Sequence, residues 1–253
     1  GVKIANPDLS VWVVTGDGDG LSIGGNHFMH VLRRNMDVNI LMFNNRIYGL
    51  TKGQYSPTSE QGKKTKASPY GSIDYPLNPP SLALGAQATF VARTIDRWQK
   101  HMAAMLERSY NHDGGSYIEI YQNCNIFNDG AFEEYTGAEK FSNVIELKHG
   151  EPMVFAQGTK GIKLDGFKPK VVDMEKNSID DILIHNETDL DLAHIIANWT
   201  SHPTLPEPIG VIYCIDKTTY NQDIVNQIES AIEAKGPGNV QDLLNSGDTW
   251  VVD

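Results

Sequence analysis

The feature that most constrains the fold is a run of alternating glycine and aspartate, Gly16-Asp17-Gly18-Asp19-Gly20, set just after the apolar run Val11-Trp12-Val13-Val14. A second apolar run, residues 38–43, ends in Asn44-Asn45. Between the two runs, residues 23–34 read as a helix with Ile23, Val31 and Leu32 among its apolar positions. The order is strand, glycine turn, helix, strand. Such a crossover is right-handed and sets the two strands parallel. Asp17 then lies past the carboxyl end of the first strand and Asn45 past that of the second. Open α/β sheets bind ligands in the crevice at that edge.

The rest of the chain extends the pattern. Residues 51–80 form a long loop rich in Gly, Ser, Thr, Pro and Lys, and a loop of that length in a compact domain is usually functional or disordered. Residues 81–88 predict a short helix and 89–93 a third strand. Asp96 is placed to N-cap a helix reaching about residue 110, with Trp98, Met102 and Met105 as its core stripe. Residues 116–121 predict a fourth strand, which puts Cys124 on the same sheet edge as Asp17 and Asn45. Past residue 131 the pattern loosens: short strands at 144–147 and 153–156, a helix at 189–199, a strand at 209–215 that contains Cys214, and a helix at 222–234. The expectation is an α/β fold with an open, mostly parallel sheet in residues 1–135 and a smaller C-terminal region of mixed structure in 136–253.

Bulk properties exclude several classes. The 253 residues carry a net charge of −11, which argues against nucleic acid or an anionic membrane as the main partner. No apolar run reaches the roughly 18 residues of a membrane span, and no signal peptide opens the chain. With only two cysteines, a disulfide scaffold is ruled out, and a reducing cytoplasm is the simplest setting. The chain opens on Gly1-Val2-Lys3-Ile4-Ala5 without Met, close to a core strand. It is therefore expected to be part of a longer polypeptide.

The glycine run fits a Mg²⁺-bound diphosphate better than its competitors. Leu21 stands where a dinucleotide fingerprint needs its third glycine, and no Gly-Lys-Ser/Thr follows for a P-loop. Asp17-x-Asp19 opens like a calcium loop, but Leu21 again replaces an oxygen ligand. Mg²⁺ wants about six oxygens, few of them from carboxylates. Asp17 and the amide of Asn45 suit that demand, and glycines let backbone approach phosphate closely. A plain β-α turn with acidic decoration is the bland alternative.

The longer words decide. Gly16-Asp17-Gly18-Asp19, Ile23-Gly24-Gly25-Asn26-His27, Arg33-Arg34-Asn35 and Asn44-Asn45-Arg46-Ile47-Tyr48-Gly49-Leu50-Thr51-Lys52-Gly53-Gln54-Tyr55-Ser56-Pro57-Thr58 together resemble the β subunit of 2-oxoacid:ferredoxin oxidoreductases, nearest the 2-oxoglutarate type (2-oxoglutarate synthase). A second patch, residues 117–128, extends the resemblance. It implies a thiamine diphosphate domain of the diphosphate-binding type and CoA-linked oxidative decarboxylation of 2-oxoglutarate to succinyl-CoA, or the reverse. Electrons would pass through a [4Fe–4S] cluster to ferredoxin.

Site roles follow from the same resemblance. Asp17 and Asn45 would bind Mg²⁺ through side-chain oxygens and Ile47 through its carbonyl. Gly16, Gly18, Asp19, Gly49, Leu50 and Thr51 would line the diphosphate, with the helix after Ile23 turning its N-terminus toward it. Lys52, beside Leu50 on the substrate side, would pair with the distal carboxylate of a dicarboxylic 2-oxoacid. An exposed loop lysine is the alternative. Cys124 corresponds to the last cysteine ligand of the cluster. A cluster takes four cysteines, so the others would lie outside this chain; the alternative is a buried thiol. A partner α subunit would grip the pyrimidine, in an (αβ)₂ assembly.

Other groups read more plainly. Cys214 is expected in the core. His27 and His30 are three apart without an evident third ligand. Lys63, Lys64 and Lys66 are a solvated loop or a basic patch for an acidic ferredoxin. Rival readings are a pyruvate or broad-range 2-oxoacid enzyme of the same class, a non-oxidative thiamine diphosphate decarboxylase or synthase, and a Mg-nucleotide regulatory module.

Overall fold

The computed structural model describes residues 1–200 and 202–252. Ser201 and Asp253, the last residue of the region expected from 136 onward, lie outside that description. A short helix α1 (Val2–Ala5) precedes strand β1 (Trp12–Gly16); helices α2 (Asp17–Leu21) and α3 (Gly25–Arg33) lead to β2 (Asn39–Asn44). Helix α4 (Pro79–Gly85), β3 (Phe90–Ile95), α5 (Gln99–Tyr110) and β4 (Ser116–Tyr121) follow. Then come α6 (Lys140–Asn143), β5 (Val144–Leu147), β6 (Val154–Phe155), β7 (Lys160–Asp165), β8 (Lys168–Asp173), α7 (Leu190–Asn198), β9 (Glu207–Cys214), α8 (Tyr220–Lys235) and α9 (Val240–Leu244).

The main sheet runs β1-β2-β4-β3-β9-β5. Among its described residues only the β3–β9 pair of this sheet is antiparallel, so the sheet is open and mostly parallel, as expected. It crosses residue 135, because β5 and β9 both join it. Its inner strands β2, β4, β3 and β9 are buried on both faces, whereas the edge strand β1 leaves Trp12, Val13 and Val14 exposed. Ile40 and Met42 of β2 pack with Phe28 and Leu32 of α3, Leu84 of α4 and Ile196 of α7. On the other face Ile118, Ile120 and Phe90 meet Met102, Met105 and Leu106 of α5. The alternation of side chains along each strand sorts these sets.

Several expectations need correction. The helix expected over 23–34 starts at Gly25, and the glycine run is itself helical (α2) rather than a turn. Ile23 falls in the kink between the two helices and is exposed. Asp96 does not cap α5: its N–H donates to the Tyr121 carbonyl and extends the β3–β4 ladder, and the helix begins two residues later than expected, with Trp98 as its N-cap. Trp98 consequently leaves the α5 stripe and packs with Ile95, Tyr121 and Tyr135. Cys214 ends β9 half-buried rather than lying within the core.

The hairpin β7–β8 is absent from the sequence reading. Its strands are lysine-rich, and β8 contains Pro169, which ordinarily argues against a strand. They pair with one another and β6 in a separate antiparallel sheet. The long connection between β2 and α4 contains no regular element, yet it is closed by its own bonds, among them Leu77 N–H to Pro57 carbonyl at 2.8 Å.

Candidate functional site

Register builds the site. Gly16 pairs with Phe43 across β1 and β2, so the next residues, Asp17 and Asn44, emerge side by side at the carboxyl edge. Asp17 is the first residue of α2 and is 1% exposed. Its Oδ1 accepts from the Asn45 N–H at 3.4 Å and its Oδ2 from the Thr58 hydroxyl at 2.6 Å. Burial pushes its carboxyl above the usual carboxylate range, and hydrogen bonds from Ser56, Thr58 and Asn45 only partly offset that. A carboxylate so desolvated and held by neutral donors is suited to a cation.

The glycines have a steric reason. A Cβ on Gly18 would lie 2.7 Å from the Tyr48 ring, and one on Gly20 would lie 2.9 Å from Met42 Cε. Gly18 thus lets Tyr48 close over α2, where its hydroxyl donates to Asp19 Oδ1 at 2.7 Å. At the start of α3 the amides of the N-cap Gly24 and of Gly25 donate to the Asp19 and Ser22 carbonyls.

The second ligand loop follows β2. The Asn45 side-chain oxygen accepts from Ile47 N–H at 3.3 Å, an Asx turn that aims the amide. Ile47 is buried. Residues 48–54 then close a small loop, with Tyr48 N–H to Gln54 carbonyl at 2.7 Å and Gly53 N–H to Tyr48 carbonyl at 3.1 Å. Leu50, Thr51 and Lys52 are exposed at its tip. Lys52 adopts a left-handed backbone, φ 64°. Among the described residues, the N–H groups of Gly49, Leu50 and Thr51 donate to no main-chain carbonyl, which leaves them open toward an anion. A cleft of about 830 Å³ opens alongside, lined by Leu21, Ser22, Tyr48, Gln54, Ser56 and Tyr75 among others. That is ample for a cofactor-sized ligand. Asp17 and Asn45 are not part of its lining.

The donor set fits Mg²⁺ with thiamine diphosphate. It offers one carboxylate, one amide oxygen and a nearby carbonyl, leaving positions for phosphate and water. Among the described residues no group of three or more His, Cys, Asp or Glu forms a metal cage, and His27 and His30 are exposed on α3.

Cys124 follows β4 on the same edge, half-buried and unpaired. Its carbonyl accepts from Asn128 N–H at 2.9 Å. Asn128 in turn donates its side-chain amide to the Asn45 carbonyl at 2.8 Å. Lys63 is not a free solvated lysine, since it bonds Asn128 Oδ1 and Glu60. Lys64 and Lys66 are exposed.

Sequence reasoning missed the polar core behind the ligands. Arg93 of β3, fully buried, donates to Glu119 of β4 at 2.7 Å and to Glu207 of β9 at 2.5 Å. Burial alone would lower its pKa, but Tyr121, Glu119 and Glu207 hold it above the usual arginine value. Glu119 also accepts from the Asn44 amide at 2.7 Å, and Tyr121 donates to Glu207 at 2.8 Å. The available signal was opposite charges inside strands buried on both faces, where unpaired charge is rare. Thr58 had no comparable signal.

Residues 1–120 match the family model described as "Thiamine pyrophosphate enzyme, C-terminal TPP binding domain", the class of protein that the parallel sheet and its edge define. The chain is 47% identical to the 2-oxoglutarate oxidoreductase subunit KorB of Mycobacterium tuberculosis, over 100% of this chain and 69% of that relative. It is 46% identical to the β subunit of 2-oxoacid:ferredoxin oxidoreductase 1 of Aeropyrum pernix, over 51% of this chain and 41% of that relative. A solved structure of 2-oxoglutarate:ferredoxin oxidoreductase from Magnetococcus marinus, with 2-oxoglutarate, coenzyme A and succinyl-CoA bound, superposes with a TM-score of 0.72 at 26% identity, covering 98% of this chain and 71% of that one. The chain belongs to the β-subunit family of 2-oxoacid:ferredoxin oxidoreductases, in its 2-oxoglutarate branch.

Proposed function

We propose that this chain provides the Mg²⁺–diphosphate half of the active site in a 2-oxoglutarate:ferredoxin oxidoreductase. The overall reaction joins 2-oxoglutarate and coenzyme A to give succinyl-CoA and CO₂, or runs in reverse. One observation carries the reading: the buried Asp17 carboxylate meets the Asn45 loop at the carboxyl ends of adjacent parallel strands.

Asp17 and Asn45 hold Mg²⁺ through side-chain oxygens and Ile47 through its carbonyl. Gly16, Gly18 and Asp19, with Gly49, Leu50 and Thr51, line the diphosphate. Thiamine diphosphate, when bound, supplies the electron sink for decarboxylation of a 2-oxoacid. This chain's part is to bind and orient that group. Lys52, at the loop tip beside Leu50, presents an ammonium for the distal carboxylate of 2-oxoglutarate; a pyruvate enzyme has no such charge to pair.

Cys124 supplies one ligand to a [4Fe–4S] cluster whose other cysteines come from outside this sequence, and ferredoxin exchanges electrons with it. A partner α subunit covers the cleft and binds the pyrimidine, in an (αβ)₂ assembly. Tyr70, Ile73, Tyr75 and Leu50, each at least 80% exposed around the cleft, support a covering partner, because apolar patches mark interaction sites. We place the complex in the cytoplasm; among the described residues no helix is long and apolar enough to cross a membrane. Residues 1–135 carry the diphosphate half, and residues 136–253 form a smaller C-terminal region that adds β5 and β9 to the same sheet.

The test is a titration of the cofactor-free complex with Mg²⁺ and thiamine diphosphate. Asp17→Ala and Asn45→Ala are each expected to abolish saturable binding. Wild-type affinity in both variants would remove the site.

A further inference from the structure

Asp17 Oδ2 is bound by a residue 41 positions away in sequence, Thr58, through a hydrogen bond of 2.6 Å. A hydroxyl has one proton to give and two lone pairs to receive with. Three oxygens surround Thr58 Oγ1: Asp17 Oδ2, Asn44 Oδ1 at 3.0 Å and Ser56 Oγ at 3.2 Å. Their roles are fixed by what lies behind them. Asn44 must turn its NH₂ toward Glu119, whose carboxylate is locked by Arg93. Its Oδ1 therefore faces Thr58 and also accepts from Arg46 N–H at 3.1 Å. Asn44 Oδ1 and Asp17 Oδ2 are pure acceptors, and Ser56 Oγ, which also faces the Asp17 carboxylate, is the other hydroxyl of the cluster. The single Thr58 proton goes to the shorter, charged acceptor, since such bonds are the strongest of their kind.

We propose that Thr58 is a positioning residue for the cation, acting through Asp17. Its proton occupies Oδ2 and so turns Oδ1 toward Asn45 as the oxygen that receives Mg²⁺. This rests on the reading of Asp17 as a Mg²⁺ ligand. The slot that holds Thr58 is braced by the protein's own side chains: Thr58 and Asn44 are buried, and Arg93, Glu119 and Glu207 tie it across β3, β4 and β9. Thr58 itself belongs to the long connection after β2. Closure of that connection and cation affinity are thereby coupled through one hydroxyl.

The experiment uses the assembled complex freed of cofactor, titrated with Mg²⁺ at saturating thiamine diphosphate and followed by calorimetry. Thr58→Val, which keeps shape and removes the proton, is expected to weaken Mg²⁺ binding roughly tenfold or more, the effect of a lost bond to a buried charge. Thr58→Ser keeps the proton and is expected to bind like wild type. Melting of the cofactor-free complexes separates this from general damage: the affinity loss in Thr58→Val should exceed any loss shared by Thr58→Ser. Wild-type Mg²⁺ affinity in Thr58→Val, with binding lost in Asp17→Ala, overturns the inference and leaves the site standing. Equal loss in Thr58→Ser and Thr58→Val also overturns it, because the methyl group would then be responsible. Unchanged binding in Asp17→Ala removes the underlying site itself.

Discussion

The side-chain amide of Asn128 donates to the main-chain carbonyl of Asn45 over 2.8 Å. That bond joins the loop carrying Cys124 to the loop carrying the expected cation ligands, because Asn128 also closes the Cys124 turn through its own N–H. Gly53 adds a second contact: a Cβ there would lie 3.0 Å from the Phe127 ring. The two loops form one packed unit at the sheet edge.

Asn128→Ala should therefore weaken Mg²⁺–thiamine diphosphate binding modestly, by about fivefold for one hydrogen bond of roughly 1 kcal/mol. Titration of the assembled variant checks this. Unchanged affinity would show that the Asn45 loop holds its shape alone.

Arg93→Met should destabilise the fold strongly. It strands Glu119 and Glu207 as buried carboxylates without their cation, and breaking a buried pair in this way costs about 3–5 kcal/mol. Urea unfolding measures the loss. A change below about 1 kcal/mol, the range of exposed pairs, would contradict the buried-network account.

Glycine substitutions should split by position. Gly18→Ala drives a Cβ to 2.7 Å from the Tyr48 ring, so overpacking of about 1–3 kcal/mol outweighs the helical gain of about 1 kcal/mol. Gly25→Ala, at the start of α3, meets nothing within 4 Å and should stabilise by roughly 0.4–1 kcal/mol. Thermal melts of both variants would show opposite shifts.

The β-α-β unit is legible because Val11–Val14 and the run at 38–43 are apolar, short and bracketed by special residues. The order of Asp17 and Asn45 along it fixes their shared edge once the strands are parallel. Thr58 is not legible, since a loop hydroxyl reaches Asp17 only after the 51–80 connection has folded back. The Arg93–Glu119–Glu207 chain spans three strands whose adjacency depends on β9 entering the sheet antiparallel beside β3, which no local pattern states. The helical glycine run is hidden for another reason: its glycines answer to Tyr48 and Met42, which are distant in sequence.

Acid should weaken the fold from the histidine range downward. Burial lowers the pKa of His101, His112 and His185. The folded state thus prefers them neutral, and the unfolded chain binds protons first as pH falls through the ordinary histidine value of about 6.5. Their stabilising contribution is complete above that value and is lost as pH falls toward their lower folded values, with a slope of at most about 1.4 kcal/mol per pH unit for each proton. Melting midpoints between about pH 8 and 5 should decline, and His185→Gln should flatten the decline. A profile that is flat in the unaltered protein would contradict the assignment.

Anaerobic, coenzyme A-dependent reduction of a viologen dye by the complete complex separates an oxidoreductase from its rivals. Fast reduction with 2-oxoglutarate, little with pyruvate, dependence on added thiamine diphosphate, and a selective loss toward 2-oxoglutarate in Lys52→Ala are the expected results. CO₂ release from 2-oxoglutarate without dye reduction would contradict the proposed function, and would make the protein a non-oxidative thiamine diphosphate enzyme.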